Sequence, residues 1–168
     1  MDHFTALLNL LEHSALAVAI AESNWAFATI ETIHVIALTL VIGTVAIVDL
    51  RLLGFASQKQ PYVNLRRDVL PWTWAAFAAA VITGTLMFIS QAVAYSGNSA
   101  FRAKTTLLLL AGMNMLIFEL GIGRHAAQWD HGAPVPRSGK IAALLSLTLW
   151  IAIVFFGRRV GFTMVLTP

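Results

Sequence analysis

Residues 23–54, SNWAFATIETIHVIALTLVIGTVAIVDLRLLG, form an apolar run long enough to cross a bilayer that nonetheless contains Glu31, His34 and Asp49. In hydrocarbon a helix satisfies its own backbone polar groups, but an ionisable side chain is expensive there unless it faces protein or water. On a helix turning about 100° per residue the three fall within roughly 60° of one another, on a stripe shared with Leu38, Val41, Val45 and Leu52. That stripe is expected to face protein. The opposite side, with Ile36, Leu40, Gly43 and Ile47, suits lipid or a close helix neighbour.

With 58% hydrophobic and 11% charged residues and a mean hydropathy of +0.78, the chain has more apolar surface than a soluble domain of 168 residues can hide. Soluble domains carry about 25% charged residues. The length accommodates about four spans of some 20 residues each with short connections, and no separate soluble domain. A net charge of +3 would suit nucleic acid, yet the eleven Lys and Arg stand in ones and twos at the ends of apolar runs. That is how membrane-topology signals are distributed, so the expected partner is the lipid bilayer and not nucleic acid. The lack of Cys excludes disulfides, thiolate metal sites and thiol nucleophiles. Residues 1–22 hold no Lys or Arg and space their apolar positions, which reads as an uncleaved helix rather than a signal peptide.

The expected fold is an all-α membrane protein of one domain, with an N-terminal amphipathic interfacial helix over 2–20 and four transmembrane helices in a bundle. In the first segment Thr5, Asn9, Glu12 and His13 oppose Phe4, Leu7, Leu8 and Leu11. Ser23 or Asn24 is placed to cap the first span, about 27–50, with Trp25 at the interface. A basic connector ends at Pro71, read as a helix start, and opens a second span of about 72–93. A turn at AYSGNSAFR precedes the third span, about 104–123, and a loop containing APVP precedes the fourth, about 141–156. Arg51, Lys59, Arg66, Arg67, Arg124, Arg137 and Lys140 then lie on one side, against Arg102, Lys104, Arg158 and Arg159 on the other. The richer side is expected to be cytoplasmic and both termini periplasmic.

Helix rise lets depths be compared across spans. Glu31 and Lys104 fall at similar height near the outer edge and are expected to pair. Asp49, Arg51, Glu119, Arg124 and His125 fall near the inner boundary as one charge network, and the polar stripe of the third span is expected to face that of the first. Such networks commonly serve register and topology, and less often an ion path. His34 is the histidine well inside a span, with Met87 placed level with it on the second. His34 with Met87, or with His13 from the N-terminal helix, would make an axial pair for a b-type haem or a soft copper site, and Glu31 would orient the imidazole. A histidine simply hydrogen-bonded within the bundle is the competing reading. His125 and His131 lack metal-motif spacing and read as surface residues.

The stretches ESNWAFATIETIHVIALTLVIGTVAIVDLRLLG, LPWTWAAFAAAVITGTLMF and FRAKTTLLLLAGMNMLIFELGI resemble a bacterial family of uncharacterised small membrane proteins, and cover most of the chain. More distantly, IHVIALTLVIG is similar to the His-bearing first helix of copper-resistance D-type membrane domains and of small b-type cytochromes. The resemblance implies residence in the bacterial inner membrane and a haem or copper at His34. Small b-type cytochromes carry further buried histidines that this chain lacks, which leaves the second ligand to His13, Met87 or another subunit. The functional expectation is a haem protein, itself a homo-oligomer, exchanging electrons with quinone or a periplasmic partner. The alternatives are a proton or metal-ion permease using Glu31, His34, Asp49 and Glu119, and a structural subunit.

Overall fold

The structure, a computed structural model, describes residues 3–23, 25–57, 59–130 and 134–165. The helices are α1 (His3–Glu12), α2 (Ala15–Glu22), α3 (Ala26–Leu53), α4 (Tyr62–Ser90), α5 (Ala92–Gly97), α6 (Ser99–Leu120), α7 (Ala126–Trp129) and α8 (Arg137–Val165), with a 3₁₀ turn at Gly123–His125 before α7. Among the described residues there is no strand. Four helices, α3, α4, α6 and α8, are long and apolar enough to cross a membrane. At about 1.5 Å per residue the 28 residues of α3 are longer than a hydrocarbon core of about 30 Å, long enough for both ends to reach the headgroups.

The four spans occur where expected, with different ends. α4 begins at Tyr62 and carries Pro71 in its interior, so Pro71 does not start a helix. The reason lies elsewhere in the chain: the Asp130 carboxylate accepts hydrogen bonds from the N–H groups of Tyr62 (2.6 Å) and Val63 (2.9 Å) and caps this extension. The cost of continuing is local, since Pro71 offers no N–H to the carbonyl of Arg67 one turn back. α3 ends at Gly54, whose φ of +91° permits its N–H to reach the carbonyls of Leu50 and Arg51. The single N-terminal helix expected over 2–20 is instead a pair, bent by 59°. Ser14 makes the break, donating to the Leu11 carbonyl and accepting from the Ala17 N–H. The expected turn after α4 contains the short helix α5, and Asn98 then caps α6 through the N–H groups of Ala100 and Phe101. Ser23 accepts from the Ala26 N–H at the start of α3. Asp2, Asn24 and His131 lie outside the described residues.

α3 packs on α4 and α8, and α6 packs on α8. α3 and α6 therefore lie across the bundle from each other, and the third span's polar stripe does not meet the first's as expected. α4 and α6 approach through long side chains: Arg66 with Glu119 at the end of the bundle away from α1 and α2, here termed inner, and the stacked rings of Phe88 and Phe101 at the opposite end, termed outer, 5.6 Å between centroids. Three apolar clusters run through the bundle. Leu52, Tyr62, Phe118, Trp129 and Ala143 fill the inner end, Ala111, Leu149 and Ile153 join α6 to α8, and Tyr95, Ala100 and Val160 close the outer end. The N-terminal pair packs on α3, α4 and α5, while Phe4, Leu7 and Leu10 point outward, an apolar surface at home in lipid.

Candidate functional site

Polar side chains collect at two levels of the bundle. At the outer level, His34 on α3 meets α4: its Nδ1 lies 3.0 Å from the Thr83 hydroxyl, and the Ala80 backbone is a second hydrogen-bond partner of the ring. The contact is possible because residue 84 is glycine. A β-carbon there would stand 3.0 Å from His34 Cε1, so the imidazole occupies the space that any side chain would take. The charge of Lys104 on α6 also acts on the ring. The Lys104 stem lies along α8, with Cδ and Cε 3.7 Å from where a β-carbon of residue 157 would be; that residue too is glycine.

The remaining residues expected at this site are arranged differently. Glu31 is exposed, one turn outward of His34, and does not pair with Lys104: among the described residues the ion pairs are Arg51–Asp130, Arg66–Glu119 and Arg67–Asp68. Its carboxylate acts instead on Tyr95 of α5, whose phenol is pushed above its ordinary value by burial first and by Glu31 second. Nor does Glu31 orient the imidazole, a position that Thr83 takes. Met87 is half-buried one turn outward of Thr83, so the level matched to His34 is displaced from Met87 by about 6 Å. His13 stands exposed at the bend between α1 and α2, where its Nδ1 donates to the Asn9 carbonyl at 2.8 Å.

At the inner level Arg51 and Glu119 form ion pairs with Asp130 and Arg66, two partners outside the set expected from the sequence. Arg66 of α4 grips Glu119 of α6 through both Nε and an Nη. Arg51 donates from Nε to the Gln60 carbonyl at 2.9 Å and lies 3.6 Å from Asp130, which is itself the cap of α4. The charges of Glu119, Arg66, Asp49 and Asp130 all reach Tyr62, the buried residue at the centre of the cluster. Asp49 is buried and hydrogen-bonded by Ser146 of α8, with Oδ2 left without a partner among the described residues. Arg124 and His125 stay exposed; His125 bonds the Gly121 carbonyl and neither joins an ion pair among the described residues. His125 is thus the surface residue expected.

A family signature covers residues 11–163, from the end of α1 to the end of α8. The chain belongs to DUF6644, a family of unknown function. The match takes in all four spans and both polar levels, and leaves out most of α1. No curated protein and no solved structure is detectably similar. Among the described residues no group of three or more His, Cys, Asp or Glu is placed to hold a metal ion.

Proposed function

We propose that this integral membrane protein is a redox protein that binds a b-type haem through His34 and exchanges electrons with quinone or a periplasmic partner. The observation that carries the reading is the bond between His34 and Thr83. A threonine hydroxyl has one proton, and that of Thr83 goes to the Ala79 carbonyl at 2.7 Å. With its proton there, the oxygen is open to an N–H from the ring; in that tautomer Nδ1 carries the hydrogen and Nε2 presents its lone pair. This is the arrangement of a ligating histidine, one nitrogen held by a neighbour and the other free for iron. A bound haem would supply one-electron chemistry; His34 would hold it and Thr83 would fix the ring. Lys104 favours haem over copper, because its ammonium opposes a bare cation at the ring while the carboxylates of a haem would be attracted to it.

The packing constrains the reading. α3 and α4 touch at Gly84, so a porphyrin has no place between them and would reach Nε2 from the side of α6, where α4 and α6 are spaced by side chains. An ion path finds less support. His34 and Asp49 are separated by about 22 Å of α3 without an ionisable residue, and Val41 and Ile153 are fully buried in the interval and across from it. The reading includes the bacterial inner membrane as location, periplasmic termini, and a homo-oligomer, since four helices enclose little interior of their own.

Purified protein expressed with haem available should be coloured, with a Soret band that shifts on reduction. His34→Ala should lose the band while remaining inserted, and His125→Ala should keep it. A colourless wild type that takes up no added hemin refutes the proposal.

A further inference from the structure

The inner level holds one acid more than its cations answer. Arg51 pairs with Asp130 and Arg66 with Glu119, which leaves Asp49 on α3 without a cation in ion-pair reach among the described residues. The groups around it are committed elsewhere or turned away: Tyr62 and Arg66 come from α4, Glu119 from α6 and Asp130 from the end of α7, while Arg137 and Lys140 stand exposed at the start of α8. Asp49 is only 6% exposed, and its Oδ2 has no hydrogen-bond partner among the described residues. The Ser146 hydroxyl of α8 therefore serves the other oxygen, Oδ1.

The position keeps the acid dry. Leu52 and Leu53 stand one turn beyond Asp49 on α3, and Ala142 and Ala143 one turn before Ser146 on α8; all four belong to the apolar cluster that fills the inner end with Tyr62, Phe118 and Trp129. The carboxyl thus lies one turn deeper than this cluster, which separates it from water at that end. An ionised carboxylate held there with one oxygen unanswered is far costlier than a neutral carboxyl. A metal cation would need several oxygen ligands, and the site offers the Asp49 carboxyl and one hydroxyl. The other buried polar atom without a partner at this level is Trp129 Nε1, an N–H donor with nothing to give a cation. A proton needs one oxygen alone.

We propose that Asp49 is a proton-binding site of the inner side: Oδ2 carries a proton that it exchanges with water at that end, and the neutral acid holds α3 on α8. On release the carboxyl O–H bond breaks and the proton passes to water, leaving a charge between the two helices that draws water in and loosens their contact. No ionisable residue lies on α3 between His34 and Asp49, so the proton enters and leaves by the inner end and the site is not a step in a path across the bundle.

The test uses full-length protein in phosphatidylcholine nanodiscs and infrared spectroscopy at a pH about two units above the ordinary aspartate value of ~3.9, where a solvated carboxyl is ionised. Wild type should show an acid C=O band that Asp49→Asn lacks. Ser146→Ala should move that band to higher frequency, because the carbonyl loses a hydrogen bond; the shift decides the matter if Asp49→Asn fails to insert. Concentrated sodium chloride should leave the band in place, and its loss on adding sodium would assign the site to a metal cation and overturn the proposal. When the pH is raised until the band disappears, hydrogen–deuterium exchange over 45–53 and 141–150 should accelerate more in wild type than in Asp49→Asn, whose amide cannot ionise and which carries the general effect of pH on exchange. A wild type without the band, or equal exchange in the two proteins, also overturns it.

Discussion

Asp130 Oδ1 accepts a hydrogen bond from the backbone N–H of Tyr62 at 2.6 Å, across 68 residues of chain. Through it the segment between α6 and α8 decides where α4 begins. Arg51 lies against the same carboxylate, so one acid ties the α3–α4 connector, the start of α4 and the end of α7 together. An anion on free helix N–H groups also complements the helix dipole.

Removing that acid should therefore fray the first turns of α4 and leave Arg51 without this partner. Asp130→Ala is expected to destabilise the detergent-solubilised protein by about 1–2 kcal/mol from the cap alone. Asp130→Asn keeps an acceptor and should recover part of the loss. Thermal unfolding of the three proteins checks the order, and an alanine variant as stable as wild type contradicts it.

Arg66 and Glu119 bridge the one pair of neighbouring spans whose backbones stay apart, so their interaction should register as a coupling energy. Both groups are partly exposed, at 38% and 24% of the side chain, which keeps the expected coupling to about 1 kcal/mol. A double-mutant cycle of Arg66→Met and Glu119→Gln measures it. The same cycle with Glu31→Gln and Lys104→Met should give additive losses, since those two do not meet. Coupling there as large as between Arg66 and Glu119 would mean that the outer end is arranged otherwise.

These two pairs also mark where the sequence is legible. The stripe bearing His34 and Asp49 is a property of one helix and reads directly from spacing; both residues do face protein. The four spans follow from apolar length. The start of α4 does not, because its cap comes from Asp130, a residue with no local signal that it serves another helix. A missed helix start displaces every depth counted from it, and this is why Met87 rather than Thr83 was expected opposite His34. The break at Ser14 was available locally, as a hydroxyl following Glu12 and His13 within an apolar run, but the amphipathic period continues across it. A Thr-Gly pair on a neighbouring span, small enough to admit an imidazole and able to bond it, is the signal for the His34 contact.

The proposed role of His34 requires one tautomer at that contact, which can be observed directly. Ring nitrogen shifts of His34 should show Nδ1 protonated and Nε2 not. Thr83→Val, which keeps the shape but removes the acceptor, should cost about 1 kcal/mol and lose that preference. Gly84→Ala places a methyl 3.0 Å from Cε1 and should displace the ring. A wild-type ring protonated at Nε2 would remove the support for His34 as a ligand.

The orientation in the bilayer follows from charge and an even number of spans. With α3, α4, α6 and α8 as the spans and the bent α1–α2 pair at the interface, the chain would return to the side on which it began and both termini would share one face. The connectors on the opposite face hold Arg51, Lys59, Arg66, Arg67, Arg124, Arg137 and Lys140, and translocating them would move seven cations across the membrane against four for the reverse arrangement. Arg51 and Arg66 are engaged with acids in the structure, but the bias acts during insertion, before those pairs form, so they count in full. The connectors should thus be cytoplasmic and the termini periplasmic. A reporter active only in the cytoplasm should give signal when inserted in the α6–α8 segment and none when fused after Pro168. Activity at Pro168 would invert the bundle, and the site around His34 and Lys104 would then open to the cytoplasmic leaflet.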